Sequence, residues 1–129
     1  MKTTVINSLN QMVNAQIKGS NGILCTHSKV LEKILGILCR EGFIRGFFNT
    51  KFNSSLKSYV LLKYKHNQPA IRNIIVESGP SLKLFKRYQE LKKSSNGVGV
   101  FIMSTNKGLV SNDTSFHQKI GGQVLFRVY

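Results

Sequence analysis

The segment STNKG, at residues 104–108, places two hydroxyls, an amide and an ammonium between an apolar run and a glycine. Ser104 and Lys107 have the SxxK spacing, in which a lysine accepts the proton of a nucleophilic serine. That chemistry requires the start of a helix and an oxyanion hole. Here the pair follows a predicted strand, Gly108 interrupts any helix, and the sequence has neither SDN nor KTG. A serine hydrolase using Ser104 and Lys107 is therefore a remote alternative.

The GVG segment at residues 97–99 suggests a phosphate-binding loop, but a third glycine and a following helix are missing. A pyrophosphate would then have no helix N-terminus to bind.

Two interpretations of STNKG remain, a solvated hairpin turn and a turn that contacts RNA. Hydroxyls and amides at a strand end can bond 2′-hydroxyls and base edges in the shallow minor groove, and lysines can meet phosphates.

The charge balance favours the RNA interpretation. The 129 residues include 19 Lys and Arg against 5 Asp and Glu, a formal net charge of +14. Positive charges in such excess repel one another within a fold, and binding to a polyanionic partner offsets this repulsion. An anionic membrane surface is the rival partner, but the cations are scattered, and no apolar stretch reaches the roughly 20 residues of a membrane span.

Catalytic and metal-binding constellations are not found in the sequence. The five acids form no pair, the three histidines are far apart, and Cys25 and Cys39 form no CxxC. A two-carboxylate hydrolase, a two-metal site and a zinc site all need closer groupings. We therefore expect no enzymatic activity, no cofactor and no small-molecule substrate. Both cysteines are expected in the core.

The elements that position STNKG are predicted from periodicity and turn residues. In the N-terminal lobe, residues 1–66, we predict a helix over 4–18, a strand GILCT and a second helix capped by Ser28 and closed at Gly42. A hairpin of FIRGFFN and LKSYVLLKY follows, joined by a turn TKFNSS. Of the adjacent Phe47 and Phe48 in this hairpin, at most one side chain is free for stacking, because neighbouring strand residues face opposite ways.

The segment KHNQPA is the predicted linker, and residues 67–129 form a second lobe of mostly antiparallel strands. Its first predicted elements are a strand IRNIIVE, a turn SGPS, and a strand that enters one helical turn in LKLFKRYQELKK. A strand VGVFIMS follows, then a short helix DTSFHQK begun by Asp113 or Thr114, and a closing strand GGQVLFRVY. The predicted class is α+β, with two small lobes.

The chain resembles the bacterial-type small-subunit ribosomal protein S8 family over nearly its whole length. The C-terminal run matches most closely, with a Ser-Thr-x-Lys-Gly turn, a short helix and a glycine pair before the last strand. Further matches, in chain order, are Asn14-Ala15, Ser28-Lys29, Glu41–Ile44, Leu62–Tyr64, Ser78 and Pro80.

The resemblance implies a protein that binds a central-domain helix of small-subunit rRNA through its minor groove, early in assembly. It also implies neighbouring small-subunit proteins as partners. Residue by residue, the implied or altered contact positions in the second lobe are Phe85, Ser104, Thr105, Asn106, Lys107, Gly108, Gly122 and Gln123. Those in the first lobe are Asn14, Ser28 and Lys29. Lys86 is added as an expected phosphate contact because it lies in the basic run KLFKRYQELKK of a strongly positive chain.

Four positions depart from the family pattern. Asn106 replaces a serine, Gln123 an acid, Phe85 a tyrosine and Ser81 a glycine. Asn106 and Gln123 still accept hydrogen bonds, whereas Phe85 can stack but cannot donate one.

The expected function is a structural component of the small ribosomal subunit. A free-standing RNA-binding regulator is the alternative within RNA binding. The first residues show no secretory h-region, and the Lys, Asn, Ile and Phe content without tryptophan favours a mitochondrial gene product. The bacterial cytoplasm is the alternative location.

Overall fold

A computed structural model describes residues 3–77, 84–91 and 99–129. Two compact units are distinguished, one ending at Arg72 and the other running from Asn73 to Tyr129. The elements of the first unit are α1 (Thr3–Ile17), β1 (Gly22–Thr26), α2 (Lys29–Arg40), β2 (Ile44–Phe52), β3 (Ser55–Leu62), β4 (Tyr64–Lys65) and β5 (Gln68–Pro69). Those of the second are β6 (Ile74–Val76), β7 (Leu84–Lys86), a 3-10 turn (Tyr88–Leu91), β8 (Val100–Thr105), β9 (Gly108–Ser111), α3 (Asn112–His117) and β10 (Gly122–Val128). The predicted α+β class is confirmed.

The two helices of the first unit form where the sequence predicts them. Ser28 caps α2, its hydroxyl accepting a hydrogen bond from the Leu31 amide at 3.0 Å. After α2, Gly42 adopts φ +87°, a conformation that glycine enters without steric cost. The apolar face of α2 is fully buried and includes Leu31, Ile34 and Leu35.

The first unit has a three-stranded antiparallel sheet in the order β1-β3-β2. Strands β2 and β3 both extend further toward the turn than predicted, because the turn consists of only Asn53 and Ser54. At its other end, β3 stops at Leu62, two residues before the predicted end at Tyr64. The two turn residues have φ of 52° and 65°, the pattern of a type I′ turn, whose twist matches that of the strands it joins. The rest of the predicted turn TKFNSS belongs to the two strands.

The predicted linker KHNQPA contributes to a small hairpin. Strands β4 and β5 pair antiparallel around His66 and Asn67, which both have positive φ. The division between the units falls after Arg72, six residues beyond the predicted boundary at 66/67.

The second unit has a five-stranded antiparallel sheet. Strand β10 is central: β8 pairs along one side of it, β6 and β7 pair with different parts of the other side, and β9 pairs with the outer edge of β8. The predicted strands at β6, β8 and β10 are confirmed, as is the strand and helical turn of Leu84–Leu91. The predicted turn SGPS, with Ser78, Pro80 and Ser81, and the GVG residues before Gly99 lie outside the described residues.

Two features of this unit differ from prediction. Strand β9 was not predicted, and α3 begins at Asn112, before the predicted Asp113 or Thr114. Ser111 caps α3, with its hydroxyl 3.3 Å from the Thr114 amide. The Asn112 side chain turns inward and accepts a hydrogen bond from the Phe101 amide at 3.2 Å. A tertiary contact therefore sets the start of this helix.

The core of the second unit lies against one face of its sheet. Met103 and Val124 are fully buried there and pack against Tyr88, Phe101 and Phe116. The expected core position of Met103 is confirmed. In the first unit Cys25 is buried, as expected, whereas Cys39 is only half-buried.

Candidate nucleic-acid interface

The STNKG segment is the tip of a β-hairpin. Thr105 ends β8, Gly108 begins β9, and the two residues pair across a connection formed by Asn106 and Lys107. Gly108 has φ +105°, a conformation that side-chain-bearing residues rarely adopt. The Thr105 hydroxyl donates to the Gly108 carbonyl oxygen at 2.9 Å and accepts from the Lys107 amide at 3.2 Å. One side chain therefore fixes the shape of the turn.

This geometry removes the basis of the hydrolase alternative. Ser104 lies on a strand, and the next helix, α3, begins only at Asn112. The SxxK chemistry requires serine and lysine on the first turn of one helix.

The first row of candidate residues crosses three strands. Gln123 on β10 pairs with Phe85 on β7 and with Ser104 on β8. Directly opposed residues of antiparallel strands project from the same face. An aromatic ring, an amide and a hydroxyl therefore line up across one face, and the Phe85 side chain is 66% exposed.

The next row projects from the opposite face. Gly122 on β10 pairs with Lys86 and lies beside Thr105 of β8. A Cβ atom at Gly122 would collide with the Ser104 carbonyl oxygen and would lie 3.0 Å from Thr105 Cγ2. Glycine at this position therefore allows β8 to approach β10 closely. The Lys86 ammonium lies 4.9 Å from the centre of the Phe101 ring, a cation–π distance.

A groove of about 600 Å³ opens beside these rows. It lies between the hairpin tip, the glycine pair and the 3-10 turn after β7. Its lining consists of Phe85, Lys86, Arg87, Tyr88, Gln89, Glu90, Asn106, Gly121 and Gly122. A Cβ atom at Gly121 would lie 2.6 Å from the Lys86 carbonyl oxygen, so both glycines are required by close packing.

The hydroxyls of Ser104 and Thr105 differ in availability. Thr105 is engaged within the turn, whereas no described residue hydrogen-bonds the Ser104 hydroxyl. The side-chain amides of Asn106 and Gln123 likewise have no hydrogen-bond partner among the described residues. Three polar groups are thus available to a ligand at this end of the sheet.

The structure collects nine of the twelve predicted site residues at this end of one sheet. The other three belong to the first unit. Asn14 is exposed on α1, Lys29 is exposed at the first position of α2, and Ser28 is engaged as the helix cap.

Among the described residues, the lysines and arginines around the site are not neutralised by ion pairs, although Glu90 also lines the groove. The two ion pairs seen among the described residues join histidines to acids, His27 to Glu32 at 3.9 Å and His117 to Asp113 at 3.4 Å. No described lysine or arginine forms an ion pair with a described acid.

Five residues of the groove were not among the predicted site residues: Arg87, Tyr88, Gln89, Glu90 and Gly121. Arg87 and Tyr88 follow Lys86, so the sequence KRY itself places an aromatic ring within a basic run. Gly121 precedes the predicted Gly122. Alternation of cations with aromatic residues was the signal available in the sequence, since such residues serve phosphate contact and base stacking.

The described residues contain no group of three or more His, Cys, Asp or Glu side chains placed to hold a metal ion. Within the same residues, no helix has the length and apolar character needed to cross a membrane.

The fold and the site define a small, strongly basic α+β protein with a cationic hairpin and an adjoining groove. Residues 3–129 match the family described as ribosomal protein S8. Among similar proteins are small ribosomal subunit proteins uS8. That of Zymomonas mobilis is 33% identical over 121 residues, covering 94% of this chain and 92% of the relative. That of Nautilia profundicola is 29% identical over 130 residues, covering 100% and 99%. That of Wolbachia pipientis is 33% identical over 121 residues, covering 94% and 92%.

The chain belongs to the ribosomal protein S8 family. The family is one of ribosomal proteins and not of enzymes.

Proposed function

We propose that the protein is a structural constituent of the small ribosomal subunit that binds a central-domain rRNA helix through its minor groove. In this role it supports subunit assembly and translation, beside neighbouring ribosomal proteins. The observation that carries the proposal is the convergence of nine predicted contact residues at one end of the second sheet. The relatives named above are small ribosomal subunit proteins, which supports the same role.

The available polar groups suit a minor groove. Ser104, Asn106 and Gln123 can donate to and accept from 2′-hydroxyls and base edges, which a shallow RNA minor groove displays. Lys107 and Arg87 can meet the flanking phosphates, and Lys86 can extend from its position beside Phe101. The exposed ring of Phe85 can stack on a base or ribose.

Thr105, Gly108 and Gly122 act differently in this proposal, by shaping the surface. Thr105 holds the turn through two hydrogen bonds, and Gly122 allows the strands to approach. In the first unit, exposed Asn14 and Lys29 supply additional contacts, and Ser28 orients the start of α2.

Ser104→Ala tests direct contact. Its hydroxyl is desolvated on binding, so its loss leaves an RNA group unpaired, at a cost of about 1–3 kcal/mol. We expect a roughly tenfold or greater loss of affinity for a cognate rRNA fragment in filter binding, and little change for an unrelated duplex. Ser20→Ala, in the first unit, is the matched control, because that hydroxyl is also half-buried and has no described side-chain bond. Wild-type cognate affinity in folded Ser104→Ala would contradict this role.

Salt dependence tests the phosphate contacts. With 6–10 such contacts, affinity should fall roughly 10³-fold or more between about 50 and 200 mM salt. Lys107→Gln should reduce this slope and weaken binding to all duplexes alike, since phosphate contacts carry little sequence information. A flat salt response would refute the assignment of the +14 charge to RNA binding.

Sedimentation separates a ribosomal constituent from a free-standing RNA-binding regulator. The protein should travel with small subunits after a high-salt wash. A largely ribosome-free pool would instead identify a regulator.

We propose a mitochondrial ribosome as the location, with the bacterial cytoplasm as the alternative. The proposal rests on the Lys, Asn, Ile and Phe content of a bacterial-type family member. An organelle-encoded protein should still be synthesised when cytosolic ribosomes are inhibited, and its synthesis should stop with an inhibitor of bacterial-type ribosomes. Continued synthesis under the second inhibitor alone would exclude organelle encoding.

A further inference from the structure

The first unit presents an aromatic surface that the proposed rRNA site does not use. In its sheet, Tyr59 on β3 pairs with Leu24 on β1 and with Phe48 on β2. These three side chains therefore project from one face, which we call the outer face. The adjacent row, Cys25, Ser58 and Asn49, projects from the other face, where Cys25 is buried and Ser8 of α1 lies beside its thiol. The helix therefore packs on the inner face.

Phe48 and Tyr59 form a supported aromatic pair on the outer face. Their ring centres are 5.4 Å apart with an interplanar angle of 29°, and Phe48 is still 52% exposed. Tyr59 extends across Gly22, where a Cβ atom would lie 2.6 Å from the tyrosine hydroxyl. The Tyr59 ring therefore rests on the backbone of Gly22, and the Phe48 ring stacked beside it remains accessible to a ligand.

Space beside Phe48 is also open. Gly46 lies two residues earlier on β2, and a Cβ atom there would meet nothing within 4 Å. Because β2 is an edge strand of this sheet, no further described strand covers that side. Gly46 follows the register shift between Ile44 and Gly46, so it lies at a bulge of this edge strand, and the open space beside it leaves Phe48 approachable from that side.

The charges around this face favour an anionic partner. Lys57 pairs with Thr26 and Thr50 in the next outer row, so a cation and two hydroxyls border the aromatic pair. The only acids of the first unit are Glu32, on α2, and Glu41, at the C-cap of α2. Neither belongs to the outer face of the sheet.

We propose that this outer face binds unpaired RNA by stacking a base on Phe48, with Lys57 meeting the adjacent phosphate. A flat, anionic ligand matches an accessible ring beside a cation, and antiparallel sheets with exposed aromatic residues are suited to stacking successive bases. Duplex RNA is a poor ligand here, because its bases are already stacked on one another. This surface shares no residue with the duplex-binding site proposed above, so either proposal can fail without the other.

The chain contains no tryptophan, which permits a single-site reporter. In Phe48→Trp, we expect a short oligouridylate to quench the tryptophan fluorescence saturably, whereas a fully paired duplex does not. Val30→Trp is the control, because Val30 is exposed on α2 and lies outside the outer face. Absence of quenching, or equal quenching in Val30→Trp, would overturn the proposal.

A second measurement separates stacking from general apolar contact. Oligouridylate carrying 4-thiouridine should crosslink to the wild-type segment containing Phe48, and Phe48→Leu should reduce that crosslink about fivefold or more. Leucine keeps the apolar surface but has no ring face. An undiminished crosslink in Phe48→Leu overturns base stacking. If an acidic apolar peptide, and not RNA, quenches the tryptophan at position 48, the face docks a protein and the proposal is wrong.

Discussion

Gly122→Ala should destabilise the second unit by an amount that the structure allows us to estimate. The added Cβ atom would collide with the backbone oxygen of Ser104 and would lie 3.0 Å from Thr105 Cγ2. Neither strand can yield freely, because β10 is paired on both sides. Overpacking of this kind costs about 1–3 kcal/mol, and a disrupted ladder hydrogen bond adds about 1 kcal/mol. We expect a total loss of about 2–4 kcal/mol.

Urea unfolding followed by circular dichroism would measure this loss, and amide hydrogen exchange would place it at β8 and β10. Gly46→Ala is the matched control: it is also a strand glycine, but its Cβ atom would meet nothing within 4 Å. That variant should remain within about 0.5 kcal/mol of wild type. If Gly122→Ala is as stable as Gly46→Ala, the close approach of the strands is not a constraint and the reasoning fails.

Three further predictions concern the first unit. Gly36→Ala, in the interior of α2 with open space around the new Cβ atom, should stabilise by about 0.5–1 kcal/mol in urea unfolding. Ser28→Ala should lower stability by about 1 kcal/mol, because the Leu31 amide loses its cap; an unchanged urea midpoint would refute the capping role. Burial raises the pKa of the Cys25 thiol above its ordinary value of 9.0, against smaller opposing effects of Ser8 and Lys57. The folded state therefore keeps this proton to a higher pH than the unfolded state does. The free energy of unfolding should be unaffected by Cys25 below about pH 9 and should fall as the pH rises above it, and Cys25→Ala should lack this fall.

Elements with strong local signals were predicted well from the sequence. Helix α2 has a serine cap, a buried face at helical spacing and a glycine just after its end, and each of these acts through neighbouring residues. Strand β9 has no comparable signal. Its four residues, Gly108–Ser111, are defined as a strand by their pairing with β8. Such a short edge strand depends on a partner that periodicity within the segment does not reveal.

Turn lengths were less predictable, because register decides where a strand ends. In the first hairpin, the six-residue segment TKFNSS, five of whose residues are polar, suggested a long turn, but Asn53 and Ser54 alone adopt the left-handed conformation. The flanking residues continue the ladder to the pair formed by Phe52 and Ser55. A two-residue turn of the matching twist permits this additional pairing.

At the candidate site, the sequence likewise could not predict what each single side chain does. Ser104 and Thr105 are adjacent hydroxyl residues, and the sequence assigned them one role. On a strand they project to opposite faces, and only Thr105 reaches back to bond the turn. Its loss should alter the shape of the surface, whereas loss of the Ser104 hydroxyl should remove a contact and leave the shape intact. Because the two effects arise from strand alternation and turn closure, they depend on the position of each residue in the hairpin and not on its chemical type.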